Sequence, residues 1–180
     1  MIKRGEMKEY FFENASVISI FSFFILMVGF FSLTADSFLT QRNILNLLRQ
    51  SAPILIAAIA MTFVITTGGI DLSVGSTLAI VNATCAVLLQ IETNWVLVIF
   101  ILIFIGVICG LVQGYFIAFE GIPAFIVTLA GMSAIRGIAL LMTEGFTIPI
   151  DKNLGIIFLG RGWLFGIPVP AIIAVIIIIF

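Results

Sequence analysis

Two charged residues lie inside or directly beside the long apolar runs of this chain. Asp71 belongs to "ITTGGIDLSVGS", which separates two such runs, and Arg136 belongs to "TLAGMSAIRGIALLMTEG". A carboxylate in this position can cap a helix, bind an ion or a proton, or hydrogen-bond a polar solute. Either charge costs about 2.5–3.5 kcal/mol at the centre of a membrane helix, so both are expected to face protein or water.

Metal and redox chemistry find little support in the sequence. The chain has no histidine and two cysteines, Cys85 and Cys109, each inside an apolar run. Histidine is the commonest metal ligand and the usual general base at neutral pH. Cysteines in apolar runs behave as small buried hydrophobes rather than as a disulfide framework. We therefore predict no metal site, no catalytic residue and no cofactor.

The composition indicates that this chain is embedded in a lipid bilayer. Of its 180 residues, 62% are hydrophobic and 9% charged, and the mean hydropathy is +1.33. Soluble domains carry about 25% charged residues, and a soluble fold of this size cannot bury so much apolar surface. We predict an all-α integral membrane protein. The net charge of −1 gives no indication of nucleic acid as a partner.

The apolar runs predict a polytopic bundle of about six transmembrane helices. A cytoplasmic N-terminus at 1–14 would precede a membrane domain at 15–180. The predicted spans are 15–33, 52–67, 72–91, 95–119, 124–143 and 168–180. The second is short, so it either borrows its first turn from the preceding segment or stops below the far surface. That segment, 34–51, is predicted to be an interfacial amphipathic helix, and 144–166 a polar loop carrying Asp151, Lys152, Arg161 and Trp163.

A tight joint between the second and third spans explains Asp71 in local terms. Gly68 or Gly69 can take the left-handed conformation that closes a helix C-terminus. Asp71 is then predicted to be the N-cap of the third span, accepting backbone N–H groups near Ser73 and Val74. The positive end of the helix dipole favours its charge. Local chemistry alone predicts a joint and no function.

Three glycines of the fourth span share one helix face. Gly106, Gly110 and Gly114 are four residues apart, the spacing that lets a neighbouring membrane helix approach closely. We predict a packing role for them. Arg136 lies well inside the fifth span, where it either pairs with a carboxylate or carbonyls, snorkels to the interface, or lines a path for substrate.

The stretch "TTGGIDLSVGSTLAI" (66–80) resembles the signature of the ribose/xylose/arabinose class of ABC-transporter permeases, whose members carry a Ser/Gly-Gly-Ile-Asp-Leu-Ser-Val-Gly-Ser sequence. Gly68, Gly69, Asp71, Ser73 and Gly75 occupy the matching positions. Further segments resemble the family in the same order: 38–65, 121–145 and 165–170.

The resemblance implies the membrane subunit of a bacterial sugar importer in the inner membrane. Its expected partners are a second permease subunit, a cytoplasmic ABC ATPase, an extracytoplasmic sugar-binding protein and the lipid bilayer. The chain itself would not be an enzyme, and the sequence contains no P-loop motif. Family members have about ten spans and a cytoplasmic coupling segment, so this chain is expected to be an N-terminal fragment.

Three other functions remain open from the sequence. The solute of a related permease could be an autoinducer-type sugar or a nucleoside. An ion-coupled secondary transporter could use a broken helix at Gly68–Asp71, although it would need inverted repeats and further intramembrane carboxylates. A non-transporting membrane scaffold would leave Asp71 without a role.

Overall fold

A computed structural model describes residues 15–151 and 155–179 of the chain. The predicted cytoplasmic segment 1–14 and Lys152 lie outside the described residues. Over the described part the fold is helical apart from one short hairpin, which confirms the predicted all-α class. The chain divides into two compact units, Met1–Leu47 and Leu48–Phe180. The division into segments 1–14 and 15–180 stays a prediction.

The first unit contains helix α1 (Ala15–Thr34) and the start of α2 (Gln41–Thr66). No side chain of α1 is buried within the described protein. The turn after α1 is held by stacked rings of Phe31 and Phe38, whose centroids are 5.8 Å apart. The amide Nδ2 of Asn43 donates to the carbonyl of Phe38 at 2.8 Å.

The amphipathic helix predicted to lead into the second span over 34–51 starts later, at Gln41, and is continuous with that span. Residues 36–39 form a turn, and α2 then runs without a break from Gln41 to Thr66 over 26 residues. Thr40 starts it, because its carbonyl accepts the N–H of Ile44 at 3.1 Å. Pro53 removes one backbone donor inside α2 without ending it. The second span therefore takes its first turns from the amphipathic segment, which was one of the two alternatives.

The second unit contains the remaining helices and the hairpin. Its elements in chain order are α3 (Val74–Gln90), α4 (Trp95–Ala118), α5 (Ala124–Met142), α6 (Gly155–Arg161), β1 (Trp163–Leu164), β2 (Ile167–Pro168) and α7 (Val169–Ile179). Within the described residues, four helices are long and apolar enough to cross a membrane: α1, α2, α4 and α5. Helices α3 and α7 are apolar but shorter, with 17 and 11 residues. With 17 residues at about 1.5 Å each, α3 is about 25 Å long.

The segment predicted as a polar loop at 144–166 is more ordered than expected. It contains α6 and the first strand and turn of a β-hairpin whose second strand follows it, with Trp163 paired to Pro168 and Leu164 to Ile167. The two turn residues, Phe165 and Gly166, both have positive φ angles, 50° and 80°. Two positive φ values are typical of the type I′ turn, whose twist matches that of paired strands.

Helix α3 lies at the centre of the second unit, where it packs mainly against α5 and also against α4. The contact uses small side chains: Ala83 and Ala86 on α3 and Ala139 on α5 are buried. Lipid supplies no hydrophobic drive between helices, so close approach through small residues is the favoured way to associate. This packing sets the position of every polar side chain that α3 and α5 carry.

The joint between α2 and α3 begins with a Schellman motif. Gly68 has a φ of 77°. Its N–H donates to the carbonyl of Ile65 at 2.9 Å, and the N–H of Gly69 donates to the carbonyl of Val64 at 3.1 Å. These two bonds satisfy carbonyls that the end of α2 would otherwise leave unpaired. The predicted left-handed glycine is therefore confirmed, and it is Gly68.

Gly68→Ala is expected to lower the free energy of unfolding by about 1–2 kcal/mol, because a Cβ is strained in the left-handed region. Gly75→Ala is the matched control within the same motif, since its added Cβ would meet no atom within 4 Å and its backbone is helical. Thermal unfolding of both variants in detergent measures the difference. Equal destabilisation by the two substitutions would contradict the role assigned to Gly68.

Candidate functional site

Asp71 is held by its own segment. Its Oδ1 atom accepts two hydrogen bonds from Ser73, one from the backbone N–H and one from the hydroxyl, each 2.7 Å long. Ser73 is almost fully buried, with 1% of its surface exposed. Hydrogen bonds to a charged acceptor are about twice as strong as neutral ones. The carboxylate thus fixes the backbone immediately before α3.

The predicted N-cap assignment of Asp71 needs one correction. The N-cap position belongs to Ser73, whose carbonyl accepts the first helical bond from the N–H of Thr77 at 2.8 Å. Ser73 makes no side-chain cap bond of its own, because its hydroxyl donates to Asp71. The predicted acceptance of the Ser73 N–H is confirmed. The N-cap thus lies two residues later in the chain than predicted, and the Asp71 carboxylate bonds only to Ser73.

Thr128 joins this break to α5, and sequence reasoning missed it. Its hydroxyl lies 3.1 Å from the carbonyl oxygen of Ile70 and 2.8 Å from the carbonyl of Ala124 in its own helix. Thr128 is 3% exposed. A carbonyl in a helix break near lipid has to be satisfied within the protein. A threonine near the start of an apolar span is a weak signal, because threonine usually bonds only to its own helix.

A cavity of about 290 Å³ opens beside Asp71. Helices α2, α3 and α4 line it, and Gly106 and Gly110 form part of its wall. A Cβ added at Gly106, Gly110 or Gly114 would meet no atom within 4 Å among the described residues. The packing role of these glycines therefore stays a prediction. Gln113 also lines the cavity, and its Oε1 is buried without a hydrogen-bond partner in the described part.

Arg136 lies on the opposite side of α3, between two grooves that α3 forms with α5. The larger has a volume of about 390 Å³ and extends beyond Arg136 to the loop at Ile148 and Ile150. The smaller, of about 290 Å³, contains Ser76 and Ser133. We call the two together the Arg136 groove.

Arg136 is exposed, and the described residues supply no hydrogen-bond or ion-pair partner for it. Asp71 and Arg136 line different cavities, so the structure does not bring the two charges together. An unpaired guanidinium inside an apolar helix requires water or another protein surface. Among the described residues there is also no group of three or more metal-ligating side chains. The chemistry that the grooves offer is hydrogen bonding and positive charge.

The fold and the site define a polytopic helical membrane protein with cavities between its helices, as expected of a permease. A family model described as a branched-chain amino acid transport system / permease component matches residues 43–179. The chain belongs to this family of transport permease components. No solved structure gives a significant match to it.

Several of the named relatives are sugar permeases. The chain is 38% identical over 164 residues to the ribose import permease protein of Haemophilus influenzae, covering 89% of the chain and 50% of that relative. It is 43% identical over 150 residues to the ribose import permease protein of Bacillus subtilis, covering 83% and 46%. It is 38% identical over 138 residues to the xylose transport system permease protein of Escherichia coli, covering 75% and 35%. The chain thus spans about half or less of the length of these relatives.

Asp71→Ala is expected to lower the free energy of unfolding by about 1–2 kcal/mol, because it removes both bonds to Ser73. Asp71→Asn keeps an acceptor oxygen and should cost less, with assembly and stability affected more than solute selectivity. The measurement is thermal unfolding, combined with the double variant Asp71→Ala/Ser73→Ala in a mutant cycle. Asn94→Ala is the comparison at an uncharged N-cap, since Asn94 Oδ1 accepts one bond, from the N–H of Val96 at 2.9 Å.

Additive effects in the Asp71/Ser73 cycle would show that the bond from the Ser73 hydroxyl contributes nothing, since Ser73→Ala removes that bond and leaves the one from the backbone N–H in place. Normal membrane levels of Asp71→Asn with an altered solute preference would contradict the expectation that Asp71 acts on stability.

Thr128→Val is expected to destabilise the protein by about 1 kcal/mol, because it leaves the carbonyl of Ile70 without its hydroxyl donor. Thr128→Ser should retain most of the stability. Thr62→Val is the matched control, since the Thr62 hydroxyl donates within its own helix to Ala58 at 2.9 Å. Comparable losses in Thr62→Val and Thr128→Val would show that the link to Ile70 contributes nothing.

Proposed function

We propose that this chain is part of the membrane-spanning permease of an ATP-driven importer for a monosaccharide such as ribose or xylose. The observation that carries the proposal is the match to ribose and xylose permeases at 38–43% identity over most of the chain. The segment that resembles the sugar-permease signature forms the joint between α2 and α3. The assembly would lie in the bacterial inner membrane.

The expected partners follow from this class of transporter. A second permease subunit would complete the pathway, a separate cytoplasmic ATPase would supply the energy, and an extracytoplasmic binding protein would deliver the sugar. The permease moves the solute and performs no chemistry on it. Arg136 is proposed to line the pathway, since it is exposed in a groove that also contains hydroxyl and amide side chains.

The local geometry of Asp71 favours ATP-driven transport over ion coupling. An ion-coupling carboxylate must be free to exchange its ligand or proton during the cycle. Here Asp71 Oδ1 accepts two short hydrogen bonds from Ser73 in a capping arrangement. This supports a structural role for the carboxylate.

Uptake by proteoliposomes tests the proposal. The gene product that contains this sequence is reconstituted with its ATPase and binding protein, and radiolabelled ribose, xylose, a nucleoside and leucine are compared. Leucine is included because the family description names branched-chain amino acids. We expect uptake of a pentose that requires hydrolysable ATP and persists when ion gradients are collapsed.

Two results would overturn the proposal. Uptake without ATP that an ionophore abolishes would identify an ion-coupled transporter. Uptake of leucine or of a nucleoside, with no pentose transported, would assign another solute class to the same architecture.

A further inference from the structure

We propose that the Arg136 groove is filled with water in the assembled permease and selects solutes by charge. It admits neutral and anionic polyhydroxylated solutes and excludes cationic ones, such as protonated amino sugars. The inference rests on the proposed function and specifies the solute class of the same pathway.

The two halves of the groove form one continuous stripe along α3. Residues of α3 line it at helical spacing, Gly75, Ser76, Ala79, Asn82, Ala83 and Ala86, and Leu72 lines it just before the helix begins. Positions three and four apart lie on the same helix face. From residue 75 to residue 86 the stripe is about 17 Å long, compared with about 30 Å for the hydrocarbon core of a bilayer. The part of the groove along α3 therefore covers about half of the membrane thickness.

The facing side of α5 has the same pattern and carries the polar groups. Ser133, Arg136 and Thr143 are three and seven residues apart, so they lie on one face. That face also carries Ala139, whose small side chain leaves room beside the guanidinium. A helix face in contact with lipid would not carry an unpaired arginine between two hydroxyls. Water, a polar solute or another protein surface is the environment that this face requires, and we propose that it is water.

The charge of the groove is positive. Among the described residues that line its two halves, Arg136 is the one that carries a charge at neutral pH, and no carboxylate lines them. Low-dielectric walls concentrate the field of such a charge along the groove. A cation that enters meets an uncompensated guanidinium, whereas a neutral or anionic solute is accepted. The field therefore discriminates by charge.

Hydrogen bonding in the groove suits hydroxyl-rich solutes. The guanidinium offers a planar set of donors, and the amide of Asn82 can donate and accept. The hydroxyls of Ser133 and Thr143 lie within donating distance of carbonyls of their own helix, at 3.2 Å from Leu129 and Ala139. Their oxygen lone pairs stay available as acceptors. Sugar hydroxyls donate and accept, so they match both kinds of partner.

The two native cysteines provide a test that does not depend on transport. Cys85 lines the larger groove and is half-buried, whereas Cys109 lies on α4 and lines neither half of the groove. In a Cys109→Ser background, Cys85 in proteoliposomes is treated with two membrane-impermeant methanethiosulfonates, one bearing a sulfonate and one a trimethylammonium group. The measured quantity is the ratio of the two labelling rates.

We expect both reagents to label Cys85. The anionic-to-cationic rate ratio should fall about tenfold in Arg136→Gln, because one unit charge acts on the two reagents with opposite sign. Arg136→Lys should keep the ratio, since the charge is retained. Arg161→Gln is the control with no expected effect, because Arg161 lies outside the groove at the end of α6. In the unmodified protein, high salt should lower the ratio by screening.

Labelling of Cys85 by membrane-permeant N-ethylmaleimide but by neither charged reagent would overturn the proposal, since the groove would then not be filled with water. An unchanged ratio in Arg136→Gln would also overturn it. If Arg136→Gln does not fold, the salt dependence of the unmodified protein decides instead. A ratio of labelling rates that does not change with salt would overturn the proposal. A preserved charge preference with no pentose uptake would reject the proposed function and leave the groove assignment standing.

Discussion

The hydrogen bonding of the break between α2 and α3 is the constraint on which the rest of the second unit depends. Lipid offers no partner for an exposed N–H or carbonyl, so a chain that interrupts a helix near the membrane must satisfy those groups itself. Gly68 closes α2 and Asp71 fixes the start of α3. Thr128 reaches across from α5 to the carbonyl of Ile70. Each of these bonds occupies a group that lipid would leave unpaired.

This joint also determines the geometry of the groove on the other side of α3. The Asp71–Ser73 bonds fix where α3 begins, and a helix that begins one residue later rotates each of its faces by about 100°. Asn82 and the small residues near it face α5 only in the observed register. Thr128 holds the break to α5, the helix that also carries Arg136. The capping carboxylate thus positions the polar groove without contacting it.

Much of this arrangement follows from the sequence, and the remainder depends on tertiary structure. Local signals have a local cause: Gly68 supplies a positive φ and Asp71 an acceptor two residues from its donor, so both were predictable. The continuity of α2 was not predictable. Its amphipathic start and its apolar end differ in polarity, so they look like two segments, although one helical backbone runs through both. The Thr128 bond joins positions 58 residues apart, and no periodicity within one helix indicates such a partner. Likewise, the Phe165–Gly166 turn lacks the asparagine or aspartate that usually marks a type I′ hairpin.

The two charges that the sequence places in an apolar chain are accommodated in opposite ways. Asp71 is stabilised locally by short bonds from a residue that is 1% exposed, and the positive end of the helix dipole adds to this. A guanidinium in the middle of a helix has no free backbone donors or acceptors nearby, because the helix uses them all. Arg136 therefore depends on what lies across the groove from α5. Asp71, which is hydrogen-bonded within its own segment, therefore contributes to folding. Arg136, which has no such partner among the described residues, is proposed to interact with the molecules that enter the groove.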